Sequence, residues 1–183
     1  MGFIAFFVVL CFGISYVSLV GIVLGAFLLV MFVYDLKYQL ILDRVSVPAM
    51  AVALLFSVLL HRPFLSILLG AILGAGLFLV QYVVSKGRWI GGGDIRLGVV
   101  LGLALGWPLT AVALVVAYLT GAAVALVLIA SRRSSWSSVV PFGTFLSLAA
   151  FITMLRGDGI LYWYQHGGFF DWVVNTILRY YNP

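Results

Sequence analysis

"FLSILLGAILGAGLFLVQYVV", residues 64–84, carries no charged side chain and is apolar on every face. Crossing the hydrocarbon core of a bilayer takes about 20 such residues in an α-helix. A barrel strand facing lipid would alternate apolar and polar residues with period two. This stretch does not alternate, so it reads as a membrane helix. The rest of the chain has the same grain. Of 183 residues, 65% are hydrophobic and 8% charged, where a soluble domain carries about 25% charged residues. The predicted fold is all-α: a polytopic membrane bundle of about six to seven spanning or embedded helices.

Outward from 64–84, the spacing predicts a short helix near 2–13 and a full one near 16–37, broken at Gly13, Ser15 and Ser18. A helix at 46–60 follows, with Ser46 as cap and Pro48 in its first turn. Further helices are expected at 63–85, 94–106, 108–130 and 141–155, the last ending at "RGDG" (156–159) with Asp158 as a turn residue. The tail "GGFFDWVVNTILRYYNP" (167–183) is aromatic-rich, with Asp171 on its polar face, and reads as an interfacial segment. The whole chain, 1–183, reads as one membrane domain. The N-terminus lacks the basic region and cleavage site of a signal peptide.

The net charge of +5 lies at the ends of apolar runs. There it orients spans rather than binding nucleic acid. Lys37, Arg44, Lys86, Arg88, Arg96, Arg132 and Arg133 fall in alternate loops, which share one side; the opposite turns hold Arg62 and Arg156. The excess of positive charge predicts that this side is cytoplasmic, in an inner (cytoplasmic) membrane. Cys11 is alone, and His61 and His166 stand apart in linkers. No metal site and no cofactor are expected from them.

The chain has no glutamate and five aspartates: Asp35, Asp43, Asp94, Asp158 and Asp171. Ionisable groups at membrane depth are costly and tend to be functional. Asp35 ends the run "GAFLLVMFVY", and Asp94 opens "IRLGVVLGLALGW". Two crossings separate them, so both lie at the same face. Each has a plain structural reading, Asp94 as a helix cap and Asp35 as a partner of Lys37 or Arg44. Together they suggest an aspartic-protease pair. Such a pair shares a proton, because two close negative charges do not both persist. One carboxylate then takes a proton from water while the other donates to the substrate carbonyl. Gly91, Gly92 and Gly93 precede Asp94 and suit close approach to an extended substrate backbone. They read equally as a flexible hinge. Gly98, Gly102 and Gly106, with Gly70 and Gly74, have the four-residue spacing of closely packed membrane helices.

These residues resemble the type IV prepilin peptidases, the bacterial membrane aspartic proteases. "YDLKYQLILD" (34–43) is similar to that family's first motif, an Asp, five residues, then Ile-Pro-Asp/Asn, with Leu42 in place of the proline. Gly91, Gly93, Asp94, Ile95, Arg96 and Leu97 match its Gly-x-Gly-Asp motif throughout. "VPFGTFLSLAA" (140–150) is similar to its Pro-Phe-Gly-Pro-Phe-Leu run, with Thr144 for proline. The resemblance covers about 30–164. It implies that Asp35 and Asp94 are catalytic, that Asp43 and Gly91 to Gly93 border the substrate, and that the partner is a prepilin or pseudopilin precursor whose basic leader is cut at the cytoplasmic face. Many relatives carry a Cys-x-x-Cys segment and methylate the new N-terminus. That segment is not in this sequence, which reads as either a minimal form or one lacking an N-terminal part; no zinc is expected, and methyl transfer is not assigned. Two other readings stay open: a presenilin-like intramembrane protease, and a non-catalytic membrane subunit or transporter whose acids relay protons.

Overall fold

The computed structural model describes residues 2–131 and 141–165. They form seven helices: α1 (Gly2–Phe12), α2 (Tyr16–Tyr38), α3 (Asp43–Leu59), α4 (Phe64–Ser85), α5 (Gly92–Leu105), α6 (Leu109–Ala130) and α7 (Phe142–Gln165). The all-α bundle expected from the sequence is the architecture found. Helices α2, α4 and α6 are each long and apolar enough to cross a membrane, and α1 is a shorter apolar helix. Large apolar side chains such as Leu19, Val33, Leu65, Leu119 and Leu126 point outward. In water that would be a liability; in lipid it is the solvated face. The tail from 166, with His166 and Asp171, and Arg132 and Arg133 lie outside the described residues.

The first break falls where the sequence offers it. Gly13 takes φ +68°, and the Ser15 hydroxyl accepts the Ser18 N–H at 3.3 Å to cap α2.

Three expectations need correction. α3 begins at Asp43, with Leu42 at the cap position, so Ser46 is a buried interior residue and Pro48 lies inside the helix rather than in its first turn. The amides of Val45 and Ser46 both donate to the Leu42 carbonyl at 3.0 Å, starting the helix one turn early. α7 does not stop before "RGDG" but runs through it to Gln165, so Asp158 is helical rather than a turn residue. The cause is packing: Gly157 is buried, and a Cβ there would meet Thr153 Cγ2 at 2.8 Å and Leu109 Cδ2 at 3.0 Å. Seating α7 against α6 outweighs the helix penalty of glycine, about 1 kcal/mol. Finally, Asp94 is not the cap of α5. Gly91 is, and Asp94 stands in the first turn.

α5 is the most enclosed helix, with Leu97, Val100, Leu101 and Leu105 fully buried among α3, α4, α6 and α7. Its glycine row meets that of α4 backbone to backbone. A Cβ on Gly70 would fall 2.7 Å from the Gly102 carbonyl oxygen, and one on Gly102 would fall 2.5 Å from Ala71 Cα. Neither neighbour can step aside, so the small residues set the helix separation. At the far end of α5, Arg62 donates to the Leu105 carbonyl, a cation where the helix dipole is negative. Its near end, with the end of α2 and the starts of α3 and α7, forms the site.

Candidate active site

α2 ends in a tight reversal. Gln39 adopts the left-handed conformation (φ 51°) and returns its N–H to the Asp35 carbonyl at 2.9 Å. This turns the 40–42 segment across the bundle end and leaves Asp35 in the last turn of α2, where it is 6% exposed. A buried carboxylate needs hydrogen-bond donors. They come from α7, 109 residues on, rather than from Lys37 or Arg44. The Thr144 N–H donates to Asp35 Oδ2 at 2.6 Å, and the Thr144 hydroxyl donates to the same oxygen at 3.0 Å. Thr144 is the third residue of α7, where an amide has no partner within its own helix. Asp35 supplies one from outside. Lys37 lies instead over the Tyr38 ring, 5.1 Å from its centre.

Gly143 makes this contact sterically feasible. A Cβ there would stand 2.9 Å from Asp35 Cγ, 3.0 Å from Oδ2 and 3.1 Å from Ile41 Cδ1. α7 thus presses its bare backbone onto the carboxylate.

Asp94 is half-buried in the first turn of α5, where helix amides favour a negative group. It is near enough to Asp35 for that residue's charge to act on it. Both carboxylates line one open cleft of about 270 Å³, with Gln39, Leu40, Ile41, Gly91, Gly92, Gly93 and Arg96. The sequence-derived pair, drawn from segments nearly 60 residues apart, therefore shares a single pocket.

The three glycines divide. Gly91 and Gly92 are exposed, and nothing stands within 4 Å of a Cβ on Gly92. Gly93 faces inward: its Cβ would meet Ile41 Cβ at 2.7 Å. It packs the α5 entry onto the 40–42 segment, so steric necessity applies to Gly93 and free backbone to the other two. Asp43 does not line the cleft. It pairs with Arg96 Nη1 at 2.5 Å, both side chains well exposed, and so ties the start of α3 to the first turns of α5.

The sequence reading left Gly143 without a role and treated Thr144 only as a departure from the proline of the related motif. The signal for both was the "PFGTFL" stretch itself, but nothing in its spacing says that it docks on Asp35.

Compared with known proteins, residues 22–126 match the type IV leader peptidase family. The chain belongs to that family. It is 32% identical over 135 residues to the prepilin leader peptidase/N-methyltransferase of Aeromonas salmonicida (strain A449), covering 71% of this chain and 46% of that one. It is 31% identical over 156 residues to the protein of that name from Bacillus subtilis (strain 168), covering 84% and 62%. To the Legionella pneumophila protein of that name it is 27% identical over 156 residues, covering 81% and 54%. The chain thus spans about half the length of most of these relatives. No solved structure matches it. Asp35 and Asp94 both fall inside the family match, while Thr144 lies beyond its end.

Proposed function

We propose that this type IV leader peptidase family member is a membrane aspartic endopeptidase. It removes the basic leader from type IV prepilin or pseudopilin precursors, and Asp35 and Asp94 are its catalytic pair. The observation that carries the reading is the convergence of the two carboxylates on one open cleft at the bundle end. In the reaction the pair holds one proton between them. The ionised carboxylate takes a proton from water as its oxygen attacks the scissile carbonyl carbon. The protonated one donates to the carbonyl oxygen. The tetrahedral intermediate then collapses, the C–N bond breaks, and the leaving nitrogen takes a proton from the pair.

Gly91 and Gly92 offer exposed backbone for an extended substrate. Asp43, outside the cleft and paired with Arg96, holds the start of α3 beside it. The loop charges support a cytoplasmic-facing site in the inner membrane, and residues 1–183 act as one peptidase domain.

The test is co-expression with a pilin-like precursor, following loss of the leader by gel shift. Wild-type protein is expected to shorten the precursor, and Asp35→Asn and Asp94→Asn to leave it intact. Cleavage that survives both substitutions removes the pair from the mechanism; loss with Asp43→Asn alone moves the first acid to Asp43.

A further inference from the structure

Among the described residues, Asp35 is held from one side. Its two described hydrogen bonds both come from Thr144 and both land on Oδ2. The amide can only donate, so Oδ2 must accept. The hydroxyl, 3.0 Å away, adds a second donor to that oxygen. Thr144 and Asp35 are 5% and 6% exposed, so bulk water does not replace either bond. Gly143 closes the remaining approach from α7 by backbone contact. Oδ1 is then the oxygen left for exchange with the cleft.

We infer that Thr144 is a positioning residue for the reaction: its amide and hydroxyl commit Oδ2 of Asp35 as an acceptor, so that proton sharing with Asp94 and water passes through Oδ1 alone. This rests on the peptidase reading. A carboxylate free to rotate about its Cβ–Cγ bond would present either oxygen, and the productive fraction would fall. Fixing one oxygen with two donors removes that freedom before substrate arrives. A valine at 144 keeps the amide bond and the volume but loses the hydroxyl. A proline would supply neither bond. Nearby charged groups are placed differently. Asp94 and Arg96 reach the cleft from α5, Asp43 is engaged by Arg96, and Lys37 lies over Tyr38.

The experiment uses the full chain in lipid vesicles with a pilin-like precursor. Thr144→Val is expected to lower kcat about tenfold with KM unchanged. Thr144→Ser recovers most of the loss seen with Val. Loss in KM alone, or loss that Ser does not recover, overturns the assignment. A second readout does not depend on turnover. With five aspartates and no glutamate, protein labelled with 13C at the aspartate side-chain carboxyls gives five side-chain carboxyl resonances, and Asp35→Asn identifies one of them. Thr144→Val is expected to move that resonance and leave Asp43 in place. Precursor cleavage with an unmoved Asp35 resonance overturns the positioning alone. A wild-type chain that cleaves no precursor overturns the peptidase reading, and Thr144's part in catalysis with it.

Discussion

Adding one methyl group at Gly143 tests how tightly the site is built. In Gly143→Ala the new Cβ would stand 2.9 Å from Asp35 Cγ, where ordinary contact begins at 3.4 Å, so something must give by about 0.5 Å. The second neighbour, Ile41 Cδ1 at 3.1 Å, is the end of a flexible side chain and yields readily. The carboxylate does not, because the next residue of the same helix turn grips it at 2.6 Å. Either α7 lifts away or Asp35 retreats, and both lengthen the Thr144 bonds. Hydrogen bonds to a charged group are worth about 1.5–3 kcal/mol. Losing that from the transition state slows cleavage by roughly 10- to 100-fold. Overpacking costs stability as well, about 1–3 kcal/mol. The assay is single-turnover cleavage of a precursor in vesicles, with Tm measured on the same samples. Gly76→Ala is the control: nothing stands within 4 Å of its Cβ, so neither quantity is expected to fall. A Gly143→Ala enzyme within twofold of the wild-type rate would refute the argument that α7 backbone sets the place of Asp35.

Gly93→Val is expected to abolish cleavage while the protein stays in the membrane, because its Cβ would meet Ile41 Cβ at 2.7 Å and displace the 40–42 segment; Gly92→Ala, with open space around it, keeps the wild-type Tm, and an equal Tm loss in both would contradict this division. Asp43→Asn breaks an exposed ion pair with Arg96, so Tm should change by less than the equivalent of about 1 kcal/mol, and by still less in 1 M salt; a large, salt-insensitive drop would mean that the clasp is structural. The rate should fall at both ends of the pH range: at low pH both carboxylates are protonated and no base remains, and at high pH both are ionised and no acid remains. A rate that rises to a plateau with no alkaline limb would argue against a shared proton.

Much of the bundle could be read from the chain because membrane helices announce themselves by length and apolarity. α4 and α6 begin and end within about a residue of the expected positions. The two clear misses have a common cause. Glycine and proline were read as boundaries, yet Gly157 lies inside α7 and Pro48 inside α3. Local signals name what a residue does to an isolated helix; they do not name the neighbour that rewards it for staying helical. The site divides the same way. Asp35 and Asp94 stood out by their cost in a lipid setting, by span counting and by the family motifs around them. Thr144 and Gly143 were not, because their role depends on how α7 meets α2 in space. The inner orientation of Gly93 was equally hidden, since three adjacent glycines look alike in sequence and differ only in what stands opposite them.

The glycine rows of α4 and α5 also have a mechanical meaning. Where Gly70 faces Gly102 and Gly74 faces Gly98, backbone lies on backbone, so a side chain added there would push the two helices apart and carry Asp94, on α5, with them. Asp35 travels with α2 and with the end of α7 that grips it. The cleft lies where these elements meet. The gap between the two acids is therefore set by how α5 seats against the ends of α2 and α7, through Gly93 on Ile41 and Gly143 on Asp35.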